Sequence, residues 1–251
     1  VDGKWLTDHD LRQEGGHRLF CLPYAGGSAA VYHRWRTAAP GSLRVCPVEL
    51  PGRGRRLGEP PISRLRPLVN ALADGLEGAL DRPYALFGHS MGGLLAFELT
   101  RTLRERDLPL PDHLFVSGAA GPGTPRRRPV VHDATDEELR RELRFLNGTP
   151  RELLENDELM ALMLPTLRAD FSVLETYEYR PGPPLPVPVT VLGGTADPSV
   201  PLASLHGWRE RTSATCRLRT FPGDHFFLHS AMADVMAAVR AALGRPAPVT
   251  P

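Results

Sequence analysis

The stretch Tyr84-Ala85-Leu86-Phe87-Gly88-His89-Ser90-Met91-Gly92-Gly93 decides the reading of this chain. Tyr84 to Phe87 form a short apolar strand, a G-x-S-x-G turn follows, and helical pattern runs from about Gly93 to Arg106. A strand-to-helix turn this sharp forces strained dihedrals on its central serine, and the flanking glycines remove side chains that would clash. The hydroxyl is thereby held clear of the sheet at a helix N-terminus, where developing negative charge is favoured. In that setting Ser90 reads as a nucleophile.

Outward from the turn, short apolar runs alternate with amphipathic stretches, the pattern of an α/β fold with a mainly parallel central sheet. Strands are expected at Arg18–Pro23, Leu43–Leu50, Tyr84–Phe87, His113–Ser117, Val187–Leu192 and Thr215–Phe221. Helices are expected over Val31–Ala39, Leu65–Leu80, Gly93–Arg106, Leu202–Arg211 and Leu228–Leu243. The rhythm breaks between about Thr135 and Tyr179, where only helical pattern occurs, with Leu139, Leu143 and Leu146 in one set and Leu164, Leu167, Phe171 and Leu174 in another. An all-helical excursion of this length is long for a connection and reads as a lid or binding element. Its leucines and Phe171 are expected to divide between lining a tunnel and packing onto the sheet.

Composition narrows the class without naming it. In 251 residues, 30 Lys+Arg face 29 Asp+Glu, so no strong global field draws the protein to nucleic acid or membrane. Lys4 is the only lysine, and the remaining basic residues are arginines. Cys21, Cys46 and Cys216 are widely spaced without a C-x-x-C pair, suit neither a disulfide framework nor a zinc site, and read as buried small hydrophobes. No apolar run approaches a membrane span, and Val1–Gly16 lacks the apolar core of a signal peptide, so a soluble, cytoplasmic protein is expected. There is no G-x-x-x-x-G-K-[ST] and no G-x-G-x-x-G after a strand, which argues against nucleotide and dinucleotide binding.

A serine nucleophile needs a base, and His225 follows the last expected strand, where a fold with this serine turn presents one. His89 adjoins Ser90 and is expected to point elsewhere, while His9, His17 and His132 lie in polar segments and read as surface. His225 and His229 stand four apart like helical metal ligands but lack a third ligand, so neither metal nor cofactor is expected. The acid is read as Asp197, in the Gly193-Gly194-Thr195-Ala196-Asp197-Pro198 loop. The competing Asp224 is the immediate neighbour of His225, and the loop Ser117-Gly118-Ala119-Ala120 after the preceding strand holds no carboxylate. For an oxyanion hole, the amide of Met91 supplies one donor, and Tyr24 or Ala25 in the glycine-rich loop after the first strand supplies the other.

Taken together, Leu22-Pro23-Tyr24-Ala25-Gly26-Gly27-Ser28, Leu50-Pro51-Gly52-Arg53-Gly54, Gly88-His89-Ser90-Met91-Gly92-Gly93, Gly193–Asp197 and Gly223–Leu228 resemble the stand-alone type II thioesterases of polyketide and nonribosomal peptide synthases. The likeness runs from about Arg18 to Leu243. It implies an α/β-hydrolase fold, with helices on both faces of the sheet and a helical lid. It also implies hydrolysis of acyl thioesters on the phosphopantetheine arm of an acyl or peptidyl carrier protein, clearing aberrant chains.

The domain expectation is an N-terminal extension at 1–16, the hydrolase domain at 17–244 with a lid over about 130–180, and a tail at 245–251. A monomer is expected. Because carrier proteins are generally acidic, Arg126, Arg127 and Arg128, and with them Arg53, Arg55 and Arg56, are candidates for a basic docking rim. Two other readings use the same scaffold: a carboxylesterase or acyltransferase, and a non-catalytic interaction protein.

Overall fold

In the computed structural model, which describes residues 3–7, 16–39, 42–125 and 128–244, six strands make one parallel sheet, five of them largely buried and β6 largely exposed. The strands are β1 (His17–Leu22), β2 (Leu43–Pro47), β3 (Tyr84–His89), β4 (His113–Ser117), β5 (Val189–Gly194) and β6 (Cys216–Phe221). Their order across the sheet is β2-β1-β3-β4-β5-β6, and every pairing is parallel. Between them run α1 (His33–Ala38), α2 (Leu65–Leu76), α3 (Met91–Glu105), α4 (Asp136–Leu146), α5 (Arg151–Leu154), α6 (Asp157–Glu175), α7 (Leu202–Leu205), α8 (Phe227–Ser230) and α9 (Met232–Leu243).

Alternation along each strand sorts the core onto two faces, as a buried parallel sheet requires. Phe20, Leu22, Leu86, Leu114 and Val116 pack against Leu68, Leu72 and Leu76 of α2 and Leu95 and Leu99 of α3. Leu19, Cys21, Ala85, Phe87 and Phe115 turn the other way, onto Trp35 of α1 and Val235 and Val239 of α9. Full burial of each such Leu or Phe contributes about 1.5–3 kcal/mol. Residues near the N-terminus take part: Trp5 and Leu6 are buried, and the Arg56 guanidinium lies 4.1 Å from the centre of the Trp5 ring.

The strand order sets where a ligand can sit. β1 has β2 on one side and β3 on the other, so the chain leaves β1 in one direction and later returns past it. That reversal opens a crevice at the carboxyl ends of β1 and β3. The loops there are the two glycine-rich segments Pro23–Ser28 and Gly88–Gly92.

The expected elements hold with shifted ends. β3 continues to His89, two residues further, so the strand runs directly into the serine turn. β2 stops at Pro47, which brings no N–H to the ladder, and Glu49 N–H instead donates to the Trp5 carbonyl. The fifth strand starts at Val189 rather than Val187, after Pro188. The stretches expected as single helices at 31–39, 202–211 and 228–243 are each divided: the first two combine a short α-helix with a 3-10 helix, and the third breaks at Ala231.

Candidate active site

Ser90 caps α3 with φ 52 and ψ −116, a conformation a non-glycine residue adopts only under constraint. The constraint is visible on both sides of the turn. A Cβ on Gly88 would run into the carbonyl of Gly92, and one on Gly92 would run into the carbonyl of Leu22 in β1. The Ser90 N–H donates to the Ser117 carbonyl at 2.7 Å. Met91 is the first residue of α3, so its amide has no acceptor within the helix.

His225, on the loop after β6, donates from Nδ1 to Asp197 Oδ2 at 2.7 Å. Both side chains are buried, at 5% and 1% exposure. The second oxygen, Asp197 Oδ1, accepts from Ser199 N–H at 2.8 Å, Ser199 Oγ at 2.9 Å and Val200 N–H at 3.0 Å. Burial alone would raise the Asp197 pKa, but the hydrogen bond and charge of His225 and the Ser199 donors outweigh it, and the carboxyl sits below its ordinary value. An anion fixed in this way holds the imidazole by Nδ1 and leaves Nε2 unengaged by the carboxylate. Asp224 is turned away from the ring: its Oδ1 takes the Phe226 N–H at 2.9 Å and its Oδ2 takes Asn147 Nδ2 at 3.1 Å.

His89 is fully buried and shares a hydrogen bond with Ser117 Oγ at 2.8 Å. Burial holds its pKa well below the usual histidine value, so it stays neutral. Its ring lies 5.2 Å from that of His225 and forms part of the wall behind it. His229 shares a hydrogen bond with the Tyr24 hydroxyl at 3.2 Å, and so serves a different partner from His225. Phe226 packs edge-on against Tyr24 with centroids 4.9 Å apart. Of the histidines read as surface, His17 and His132 are half-buried, His132 bonding Glu175 Oε2 at 2.6 Å, and His9 lies outside the described residues. Their polar neighbours had suggested solvent where ion-pair partners stand.

Tyr24–Gly27 is a tight turn, closed by Gly27 N–H donating to the Tyr24 carbonyl at 2.9 Å, with Gly26 in the left-handed region at φ +74. Its Gly26 N–H donates to Asp170 Oδ2 at 2.7 Å. Asp170 comes from α6 and is paired bidentately with Arg53, Nη1 to Oδ2 at 2.6 Å and Nη2 to Oδ1 at 2.8 Å. Arg53 also reaches the Gly27 carbonyl at 3.2 Å. Beside this pair, Thr166 Oγ1 donates to the Gly52 carbonyl at 2.6 Å.

Ser90, His225, Tyr24 and Ala25 open into one cavity of about 740 Å³. Leu94 of α3, Leu143 and Leu146 of α4, Phe171 and Leu174 of α6, and Val200 line it. The division of the lid's apolar residues follows from this. Leu139 and Leu167 are buried in the core of the helical insertion; Leu143, Leu146 and Phe171 line the cavity and also pack in or against that core, and Leu174 lines the cavity and packs against the core of the sheet. The helical insertion begins with a capping box between Thr135 and Glu138, and α4 ends at Asn147 in the left-handed region.

The candidate docking arginines separate. Arg53 is buried against Asp170, and Arg56 is buried against Trp5 and Glu59, so neither is a free rim cation; Arg55 is exposed. Arg126 and Arg127 lie outside the described residues. Arg128 is half-buried, paired bidentately with Glu142 and stacked 3.7 Å over Phe145. An arginine run reads as charge on a surface, but a flat guanidinium also suits buried carboxylates and ring faces. Asp170 itself carried a signal: it stands on the apolar face of its helix with Leu167 and Leu174, three residues before it and four after.

Fold and site together define an α/β-hydrolase. The thioesterase domain family matches residues 17–243. The chain belongs to the thioesterase family, enzymes that hydrolyse thioester bonds. It is 41% identical over 243 residues to linear gramicidin dehydrogenase LgrE of Brevibacillus parabrevis, covering 96% of this chain and 92% of that protein. The chain itself lacks the dinucleotide fingerprint that LgrE's name would call for. Among solved structures, RedJ, a thioesterase from the prodiginine pathway of Streptomyces coelicolor, superposes with TM-score 0.85 at 39% identity over 90% of this chain and 89% of that one. The type II thioesterase BorB, from the borrelidin cluster, gives TM-score 0.85 at 38% identity over 94% and 96%.

Proposed function

We propose that Ser90, His225 and Asp197 hydrolyse acyl groups held on the phosphopantetheine arm of a carrier protein, as an editing activity beside a polyketide or nonribosomal peptide synthase. The observation that carries this reading is His225, held by the buried, fully bonded Asp197, opening with Ser90 onto one largely apolar cavity. Ser90 Oγ attacks the thioester carbonyl while His225 Nε2 takes its proton, and Asp197 stabilises the resulting imidazolium. The amides of Met91 and of Tyr24 or Ala25 hold the oxyanion. The carbon–sulfur bond breaks, and the thiol leaves with the proton from His225. Water, deprotonated by His225, then attacks the acyl-serine; the acid departs and Ser90 recovers its proton.

The unit that does this is one domain at 17–244 with its lid over about 130–180, acting as a monomer. For an acidic carrier we propose contact through Arg126–Arg128, with Arg128 contributing least because Glu142 already engages it. Reversal of Arg126 and Arg127 to glutamate is expected to raise KM for the carrier-bound substrate at low salt, and an unchanged KM rules out this contact. The activity is tested with a panel of acyl-carrier thioesters and matched oxygen esters, with Ser90→Ala as control. Release from carrier thioesters, lost in Ser90→Ala, is expected. Faster turnover of oxygen esters than of any carrier thioester would assign the site to an esterase instead.

A further inference from the structure

We propose that Asp170, on the lid, is a positioning residue for thioester hydrolysis: it holds the Tyr24–Gly27 turn in the shape that presents an oxyanion amide to Ser90. The inference rests on the reading that this turn supplies one of the two oxyanion donors.

Asp170 is 1% exposed and uses both oxygens. Oδ1 takes Arg53 Nη2, while Oδ2 takes both Arg53 Nη1 and the Gly26 N–H. Arg53 Nη1 in turn donates to the Gly27 carbonyl at 3.2 Å. The ion pair therefore grips the turn at consecutive residues, by a donor on one and an acceptor on the next. From the same helix, three residues earlier, Leu167 presses on Gly26: a Cβ there would come 2.6 Å from Leu167 Cδ2. The grip acts on the half of the turn that follows Tyr24 and Ala25, so it sets the direction in which their amides point.

A buried ion pair is a poor way to gain stability, because desolvating two charges offsets most of their attraction, and apolar residues of similar volume often serve as well. Here the pair does what apolar residues cannot. It gives a polar, directional hold on backbone that must keep a left-handed glycine and a fixed amide orientation. It also makes lid placement and loop shape a single variable, because Asp170 belongs to the lid and Gly26 to the loop after β1.

The test separates positioning from folding by counting active sites. Asp170→Ala, Asp170→Asn and Asp170→Glu are each titrated to endpoint with a fluorophosphonate, and kcat on an acyl-carrier thioester is expressed per titrated serine. Displacing a reacting group by 1 Å can cost about 10²-fold, so kcat per site is expected to fall by at least about tenfold in the alanine variant, with KM within about twofold. Asparagine keeps an oxygen for the Gly26 N–H and is expected to lose less than alanine. The rate of phosphonylation should fall in parallel, since that reaction develops the same oxyanion. Thr166→Val, which removes the neighbouring anchor to Gly52 but touches no part of the turn, is expected to keep kcat per site.

If kcat per titrated site in the Asp170 variants stays within twofold of the native enzyme, or if only KM changes, the positioning role is overturned. Should Asp170→Ala fail to fold, Asp170→Glu decides in the same way, because it keeps the charge on Arg53 while shifting the carboxylate. Failure of the underlying reading looks different: Ser90→Ala would still turn over, or the fluorophosphonate would mark another residue.

Discussion

The helical stretch over 130–180 meets the rest of the domain at several places, the Tyr177–Glu98 bond among them, and two of these contacts are built differently. At α6, contact is buried and charged: Arg53 and Asp170, 7% and 1% exposed, lock α6 to the loop after β1, and Thr166 adds a bond to Gly52. At the loop 147–149, contact is exposed and slight. Asn147 donates to Asp224 at 3.1 Å, and Gly148 rests on the ring of Phe226, beside His225. The first end is an anchor, and the second is a latch. The helical segment is thus held firmly at the loop after β1 and lightly at the loop after β6.

The harshest way to break this comparison is to unpair the anchor. Arg53→Met leaves the Asp170 charge buried alone, and about 3–5 kcal/mol of stability is expected to go, read by urea denaturation. A loss under 1 kcal/mol would mean that the pair is not an anchor. Next come matched insertions of a methyl group at the two ends. Gly26→Ala meets Leu167 at a left-handed residue and is expected to cost about 1–3 kcal/mol. Gly148→Ala meets the Phe226 ring, but the loop can swing away, so less than about 1 kcal/mol is expected, with KM rather than kcat responding. Equal costs at the two glycines would erase the distinction. Smaller still, Asn147→Gly keeps the left-handed backbone and removes only the exposed bond to Asp224, for less than about 0.5 kcal/mol by the same denaturation curve.

Acid probes the histidine loop itself, through the contact of His229 with Tyr24. Burial lowers the His229 pKa, Arg34 adds to that, and Asp224 opposes it, so the ring stays neutral while it holds Tyr24. Once exposed, it titrates near about 6.5. Stability at this end is therefore lost as pH falls below that value, because the open form binds the proton more readily. Hydrogen exchange, corrected for intrinsic rate, should show residues 224–229 losing protection between pH 7.5 and 5.5 while α6 keeps its own. In His229→Gln the difference should vanish. Equal loss along α6 would contradict the account.

The anchor was also the part least legible in the sequence. Ser90, Asp197 and His225 could be proposed because each sits in a glycine-rich loop at the end of a strand, a local signal that survives in one dimension, and the structure brings Ser90 and His225 to one cavity with Asp197 bonded to the ring. Strand order was not readable, since parallel pairing depends on which helices cross which face. Arg53 was read as a rim cation because its neighbours Pro51, Gly52 and Gly54 mark a loop, and loops are usually wet. Its partner lies 117 positions further along. No local pattern joins two such residues, although a carboxylate on the apolar face of α6 between Leu167 and Leu174 is an anomaly that asks for a buried cation. The helical ends slipped for a simpler reason: periodicity does not separate a 3-10 turn from the start of an α-helix.

The central claim is that Ser90 carries the acyl group during hydrolysis. Its most direct test is mass spectrometry of the intact protein, quenched in acid within the first turnover of an acyl-carrier thioester. The account predicts a mass increase equal to the acyl group, located on the peptide containing Ser90, transient in the native enzyme, longer-lived in His225→Ala once formed from an activated thioester, and absent in Ser90→Ala. An adduct on any other residue, or hydrolysis by Ser90→Ala at the native rate, would contradict it.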